Sequence, residues 1–118
     1  MKKFEDLDIY KKSRLLCNVI YNLDNPEYKR DFGFKDQIRR ASVSVLNNIA
    51  EGFERGSNRD FIRFLYYSKG SVGELRNLLN LAADFNYIEN EKYNSTRRLC
   101  IEISQQLANF IKYLAKKC

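Results

Sequence analysis

Histidine is absent from this sequence of 118 residues, and proline occurs only once. Without an imidazole, the chain cannot build a Ser-His-Asp or Cys-His nucleophile system, a Glu-x-x-His di-iron site or a histidine-dependent nuclease. One proline and five glycines also leave little to interrupt long regular elements. The composition therefore predicts long elements and excludes histidine-based chemistry.

Cysteine is scarce as well. Cys17, Cys100 and Cys118 are an odd number and lack the Cys-x-x-Cys spacing of a metal or redox site. We interpret Cys17 and Cys100 as buried apolar residues and Cys118 as an exposed terminal thiol in a reducing compartment. Gly52 and Gly56 are not followed by the Lys-Ser/Thr of a phosphate-binding loop. No cofactor and no metal are therefore predicted.

Long apolar runs are also missing, since no segment approaches the roughly 20 residues that span a bilayer. The opening MKKFEDLDIY places acidic residues where a signal peptide needs an apolar stretch. We therefore expect a cytoplasmic protein with no membrane partner.

The residues that are present are typical of a globular protein, with 44% hydrophobic and 31% charged residues. This length suits one domain with one core, spanning 1–118. The formal charge of +6 favours polyanionic partners, because basic side chains gain affinity by releasing counterions from phosphates.

Apolar residues recur at spacings of three and four along four stretches, which is typical of amphipathic helices. Asp24-Asn25-Pro26 ends the first stretch, 27–32 reads as a charged connection, and Asn86 suits a helix end. The pattern predicts an all-α, antiparallel, up-and-down four-helix bundle. Helices are expected over about 8–23, 33–53, 58–85 and 91–116.

Polar residues line the edge of the apolar face in the second and third predicted helices. Their regular placement predicts hydrogen bonds between these helices, because short polar residues are otherwise unfavourable in helix interiors. An alternative is a paired-carboxylate acid and base formed by Glu51 and Glu74. The predicted structural network consists of Ser44, Asn48, Glu51, Ser71 and Glu74.

The turn between these helices contains Gly56 and a capping box, in which Ser57 caps the next helix and Asp60 reaches back. Arginines recur every four residues through this turn. They form either a solvated helix face or a surface that contacts phosphate, and repetition in an oligomer would raise its avidity. The candidate nucleic-acid-binding residues are Arg55, Arg59 and Arg63, with Arg39, Arg40, Arg97 and Arg98 on other helices.

Two further sets of residues bear on assembly. Tyr10, Cys17 and Tyr21 form a stripe on the first helix that is either a wide core face or a surface for another subunit. Gly70 and Gly73 share a face of the third predicted helix, where each glycine costs about 1 kcal/mol relative to alanine. Their retention suggests close approach by another backbone.

Several of these motifs resemble a bacterial family of proteins encoded in the intervening sequences of 23S ribosomal RNA genes, often labelled ribosomal protein-like. The resemblance covers nearly the whole chain and rests on FEDLDIYKKS, QIRRASVSVLNNIAEG and KGSVGEL. It implies a four-helix bundle that assembles into a ring, a homopentamer, without known enzymatic activity. A related branch comprises accessory variability proteins of diversity-generating retroelements, which bind a reverse transcriptase and its template RNA.

The sequence and the resemblance together favour a non-enzymatic oligomer that binds structured RNA, such as ribosomal RNA, through its basic surface. The alternative is a protein-binding scaffold, an accessory subunit of a reverse transcriptase.

Overall fold

A computed structural model of the protein describes residues 3–118, which form an elongated bundle of 47 by 21 by 20 Å. All regular secondary structure over this range is helical, and it contains no strand. The prediction of an all-α bundle is therefore confirmed. A 3-10 turn at Phe4–Asp6 precedes five helices: α1 (Asp8–Tyr21), α2 (Pro26–Arg30), α3 (Phe32–Glu54), α4 (Asn58–Asp84) and α5 (Asn90–Ala115).

The four long helices surround one core in the order α1, α3, α4, α5, with α1 and α5 closing the circle. Residues paired across each interface run in opposite directions along the chain. The Ser44 hydroxyl lies 2.8 Å from the Ser71 hydroxyl, whereas the Val45 carbonyl accepts from Ser68 at 2.9 Å. Neighbouring helices are therefore antiparallel, and α1 and α4 are diagonal, as are α3 and α5.

The core consists of the apolar faces that the periodicity predicts, and its aliphatic side chains come from all four long helices. Leucine, isoleucine and valine dominate, and these fill such interiors at the density of organic crystals. The fully buried aliphatic side chains are Leu16, Ile20, Ile38, Val45, Ile49, Leu65, Val72, Leu75, Leu79, Ile103 and Leu107.

Helix α2 occupies the segment that the sequence pattern assigns to a charged connection. The Asn25 side chain accepts a hydrogen bond from the Tyr28 amide at 2.9 Å, and Pro26 stands in the first turn. Both features are typical helix starts. The prediction was wrong because it read Pro26 only as a helix stop. Tyr28 is fully buried and packs edge-to-face against Phe34 and Tyr87.

The remaining boundaries differ from expectation by a few residues. Helix α1 ends at Tyr21, and α3 begins at Phe32 with Asp31 as its cap, accepting from the Phe34 amide at 3.2 Å. Asn86 has a φ of 60° just beyond α4, the left-handed conformation expected of a residue that ends a helix. None of the helices within 3–118 is long and apolar enough to cross a membrane.

Candidate nucleic-acid interface

The turn between α3 and α4 lies at one end of the bundle, which we call the turn end. Phe53 packs there against Phe4 at 6.3 Å between ring centroids, and Phe61 packs against Phe110 at 5.3 Å. The 3-10 turn and the last part of α5 therefore share this end with the turn. The turn itself is tight, since Gly56 has a φ of +84°, a conformation that only glycine adopts freely.

Only half of the predicted capping box forms. The Ser57 hydroxyl accepts from the Asp60 amide at 3.2 Å, as a helix cap does. Asp60 does not reach back to Ser57. Its carboxylate instead accepts a hydrogen bond from the Arg63 guanidinium at 3.3 Å. Asp60 is therefore paired with one of the candidate arginines.

Helices α3 and α4 approach each other closely just before the turn. A Cβ placed on Gly52 would stand 2.6 Å from the Phe64 Cβ and 3.0 Å from Phe61. Any larger residue would have to displace the helix that carries both aromatic rings. Close approach by another backbone was expected at Gly70 and Gly73, yet around those two positions the described chain leaves open space.

Phe64 supports two of the candidate arginines. The guanidinium carbons of Arg55 and Arg63 lie 4.9 and 5.0 Å from the centroid of its ring, a cation–π geometry. Glu51 also lies 3.6 Å from Arg55. Phe64 is itself buried, so both guanidinium groups are positioned by a side chain that belongs to the packed interior.

Arg59 completes this group, one turn before Arg63 on the outer face of α4. It is exposed and makes no ion pair with any residue in 3–118. Arg55, Arg59 and Arg63 thus form one basic patch, the turn-end patch. Arg59 is unpaired within residues 3–118, and the carboxylates paired with Arg55 and Arg63 are partly exposed.

An open groove runs along α4 beside this patch and contains two arginines and two tyrosines. Arg59 and Arg63 line it together with Tyr66 and Tyr67, and Ser57, Asp60 and Ile62 complete its lining. Tyr66 is 59% and Tyr67 51% exposed. The Tyr67 ring is held edge-to-face against Phe64 at 5.6 Å. Neither tyrosine was predicted as a ligand contact, although both stand within four residues of Arg63.

The other four candidate arginines lie away from the turn end and do not join the turn-end patch. Arg39 stacks on Tyr21 at 4.6 Å, and Arg40 pairs with Asp36 at 2.7 Å, both near the start of α3. Arg97 and Arg98 are exposed in the first half of α5, the helix diagonal to α3. The structure therefore divides the seven predicted residues among three separate surfaces.

The predicted polar network is smaller than expected. Asn48 donates to the Ser44 hydroxyl at 3.1 Å, and Ser44 bonds to Ser71 across the helices. The structure contradicts the inclusion of Glu51 and Glu74, because both carboxylates are exposed. A long flexible carboxylate at the edge of a helix interface reaches water more easily than a serine hydroxyl does.

The two glutamates also lie far apart along the bundle. Because Ser44 faces Ser71, Glu74 lies level with about residue 41 of α3, ten residues from Glu51. At 1.5 Å per residue the two are separated by about 15 Å along the axis. A paired acid and base at these positions is therefore excluded.

The stripe on α1 faces α3 of the same chain. Tyr10 packs on Phe4 at 5.1 Å, Cys17 lies 3.5 Å from the Ser42 hydroxyl, and Tyr21 carries Arg39. Much of this stripe is consequently used within the chain, as its wide-core interpretation expects, and Tyr21 remains exposed at its edge.

The cysteines show no reactive arrangement. Cys17 is half-buried, Cys100 buried and Cys118 exposed. Burial raises the pKa of the Cys100 thiol to about 12, an effect that Arg76 partly opposes. Over residues 3–118, no group of three or more cysteine, aspartate or glutamate side chains could hold a metal ion.

These features define the class of the protein, a small antiparallel helical bundle with a basic surface. The chain belongs to the family of 23S rRNA-intervening sequence proteins, whose family model matches residues 5–109. The resemblance drawn from the sequence motifs is thereby confirmed.

A solved structure agrees with this assignment. The chain is similar to a protein of unknown function from the S23 ribosomal protein family of Bacteroides thetaiotaomicron, with 30% sequence identity and a TM-score of 0.80. The match covers 88% of this chain and 98% of that one. No curated protein shows significant similarity to the sequence.

Proposed function

We propose that the protein is a non-enzymatic, homo-oligomeric RNA-binding protein that contacts the phosphates of a structured RNA through the turn-end patch. The observation that carries the proposal is the position of Arg55 and Arg63 over the buried Phe64 ring, with the unpaired Arg59 beside them. Guanidinium groups held in place lose less conformational freedom on binding, and their fork geometry suits phosphate oxygens.

The competing acidic groups do not neutralise this patch. Glu51 and Asp60 are the carboxylates paired with its arginines, at 3.6 and 3.3 Å, and both pairs involve partly exposed side chains. Such pairs contribute little in water. A phosphate can therefore replace them, and binding should weaken steeply with salt as counterions compete.

A ring of subunits would repeat the patch. Of the residues predicted to form contacts between subunits, Tyr10 and Cys17 pack within the chain, whereas Tyr21 on α1 and Gly70 and Gly73 on α4 stay exposed, on two diagonal helices. A cyclic assembly with head-to-tail contacts requires two different faces on each subunit, which supports this arrangement. By family resemblance, we expect a homopentamer of five chains of 14.0 kDa each. Light scattering that shows only monomer at micromolar concentration would refute the oligomer.

The test of RNA binding is a filter-binding titration against ribosomal RNA fragments over a salt series. Arg59→Glu combined with Arg63→Glu should abolish most of the binding while leaving the helical circular dichroism unchanged. Lys29→Glu with Arg30→Glu is the matched control, because it changes the charge equally on α2, far from the turn end. Absence of binding by the native chain at low salt, or equal loss in both variants, would overturn the proposal.

A second candidate function is protein binding, as a scaffold or as the accessory subunit of a reverse transcriptase. It is favoured by an apolar groove between α1 and α5, where Leu15 is 56% exposed beside Val19 and Leu99. Lys92, Arg98 and Glu102 also line this groove, and Glu102 is paired with Lys12, so an amphipathic helix with acidic residues opposite Lys92 and Arg98 would suit it. Co-purification with a reverse transcriptase encoded by an adjacent gene would support this function, provided that Leu15→Glu abolishes the co-purification.

A further inference from the structure

The groove beside the turn-end patch combines positive charge with exposed aromatic surface. Phosphate contacts require only the charge, and two half-exposed tyrosines in the same groove serve no purpose in a purely electrostatic site. In proteins that bind single-stranded nucleic acid, by contrast, aromatic side chains stack on bases while basic residues follow the backbone.

Tyr67 has the features of a stacking platform. Its ring is fixed edge-to-face on Phe64, 5.6 Å between centroids, while about half of the side chain stays exposed. A ring that is already fixed loses little freedom when a base stacks on it. Tyr66, the next residue, is more exposed still and lines the same groove.

The arginines and the tyrosines of the groove follow one another along α4. Arg63 stands one helical turn from Tyr67, and Arg59 one turn further, so the groove passes from positive charge to aromatic surface over about 12 Å. Beyond the tyrosines the outer face of α4 continues through Gly70 and Gly73, around which no atom of residues 3–118 approaches within 4 Å of an added Cβ. Within one chain the groove therefore ends at a low face at Gly70 and Gly73, the face assigned above to a contact between subunits.

We infer that this groove binds an unpaired nucleotide of a structured RNA, with its base stacked on Tyr67 and its flanking phosphates on Arg59 and Arg63. The inference rests on the proposed RNA-binding function and adds to it the kind of RNA element recognised, a loop or bulge rather than a continuous duplex. Continuous A-form helices present no unstacked base to an aromatic side chain.

The experiment compares a fully paired RNA duplex with the same duplex carrying a short bulge of unpaired nucleotides. The native chain should bind the bulged RNA about 5- to 150-fold more tightly, which is the range that base stacking contributes. Tyr67→Leu should lower the affinity for the bulged RNA more than the affinity for the duplex, so that the preference is lost. Tyr67→Phe, which keeps the ring, is the matched control and should retain the preference.

The outcomes separate the two proposals. Equal binding of both RNAs by the native chain, or a preference that survives Tyr67→Leu, would overturn the stacking site and leave RNA binding in place. Failure to bind either RNA at low salt would overturn the proposed function itself. A change of oligomeric state in Tyr67→Leu, measured by light scattering without RNA, would show instead that the groove is a contact between copies.

Discussion

Gly52 of α3 lies directly against Phe64 of α4, since a Cβ on the glycine would lie 2.6 Å from the Cβ of the phenylalanine. Gly52→Ala should therefore lower the free energy of unfolding, because overpacking costs about 1–3 kcal/mol, against a gain of about 1 kcal/mol in helix propensity. Gly33→Ala is the matched control, with open space around its added Cβ. Urea titration of both variants checks the sign, and a Gly52→Ala variant as stable as Gly33→Ala would contradict the contact.

The hydrogen bond between Ser44 and Ser71 should be measurable as a coupling between α3 and α4. Each serine changed to alanine should lower the free energy of unfolding by about 1 kcal/mol, and the double variant should lose less than the sum. Glu74→Gln provides a control, since an exposed residue outside the cluster should change stability by less than about 0.5 kcal/mol. Strictly additive serine variants would show that the bond contributes nothing.

Tyr28 and Tyr87 should respond oppositely to loss of their hydroxyls. The Tyr28 oxygen is buried and makes no hydrogen bond of good geometry within residues 3–118, and neither does Nε of Arg39. Burial raises the pKa of Tyr28, and the nearby Arg39 side chain opposes this only in part. Tyr28→Phe should therefore raise the free energy of unfolding by about 1 kcal/mol, as an unsatisfied group is removed. The Tyr87 hydroxyl donates to Asp31 at 2.7 Å, so Tyr87→Phe should lower stability. Thermal melts of the two variants that shift in the same direction would disprove this contrast.

The three thiols should react with a disulfide reagent in the order of their exposure. With the pKa of Cys100 raised to about 12 by burial, only about one molecule in ten thousand carries its thiolate at pH 8. Cys118 should react fast, and Cys100 only after unfolding. Comparison of the native chain with Cys118→Ser, in the presence and absence of denaturant, assigns the fast phase. Rapid labelling of Cys100 in the folded protein would show that the core opens there.

Most of the fold can be predicted from hydrophobic periodicity, because each long helix buries one face and apolar residues spaced by three and four mark that face directly. Asn86 likewise indicates the end of α4, because asparagine tolerates a positive φ. The pattern does not reveal α2, since five residues contain too few turns to show a period and Pro26 indicates a stop as readily as a start. Nor does it distinguish Gly52, which meets Phe64, from Gly70 and Gly73, which meet nothing within the chain.

The candidate site is predictable only where residues are neighbours along the chain. Arg55, Arg59 and Arg63 share a surface because they follow one turn, and Tyr66 and Tyr67 lie within reach on the same helix. Their relation to Phe64 depends on how α3 crosses α4, which no local pattern states. Glu51 and Glu74 were predicted to join the polar network because each falls in a row of polar residues along its helix. In the packed bundle both side chains are exposed to water instead.

The contacts between α1 and α5 join the two ends of the sequence. Lys12 pairs with Glu102, and Gln106 donates to Asp8 at 2.8 Å, across 90 and 98 residues of chain. The α3–α4 contacts span far shorter loops, so they can form early, whereas closing α1 against α5 needs most of the chain in place. We expect hydrogen exchange to be faster in α1 than in the centre of α4. The bundle would then open along its α1–α5 seam first, while the turn-end patch stays assembled.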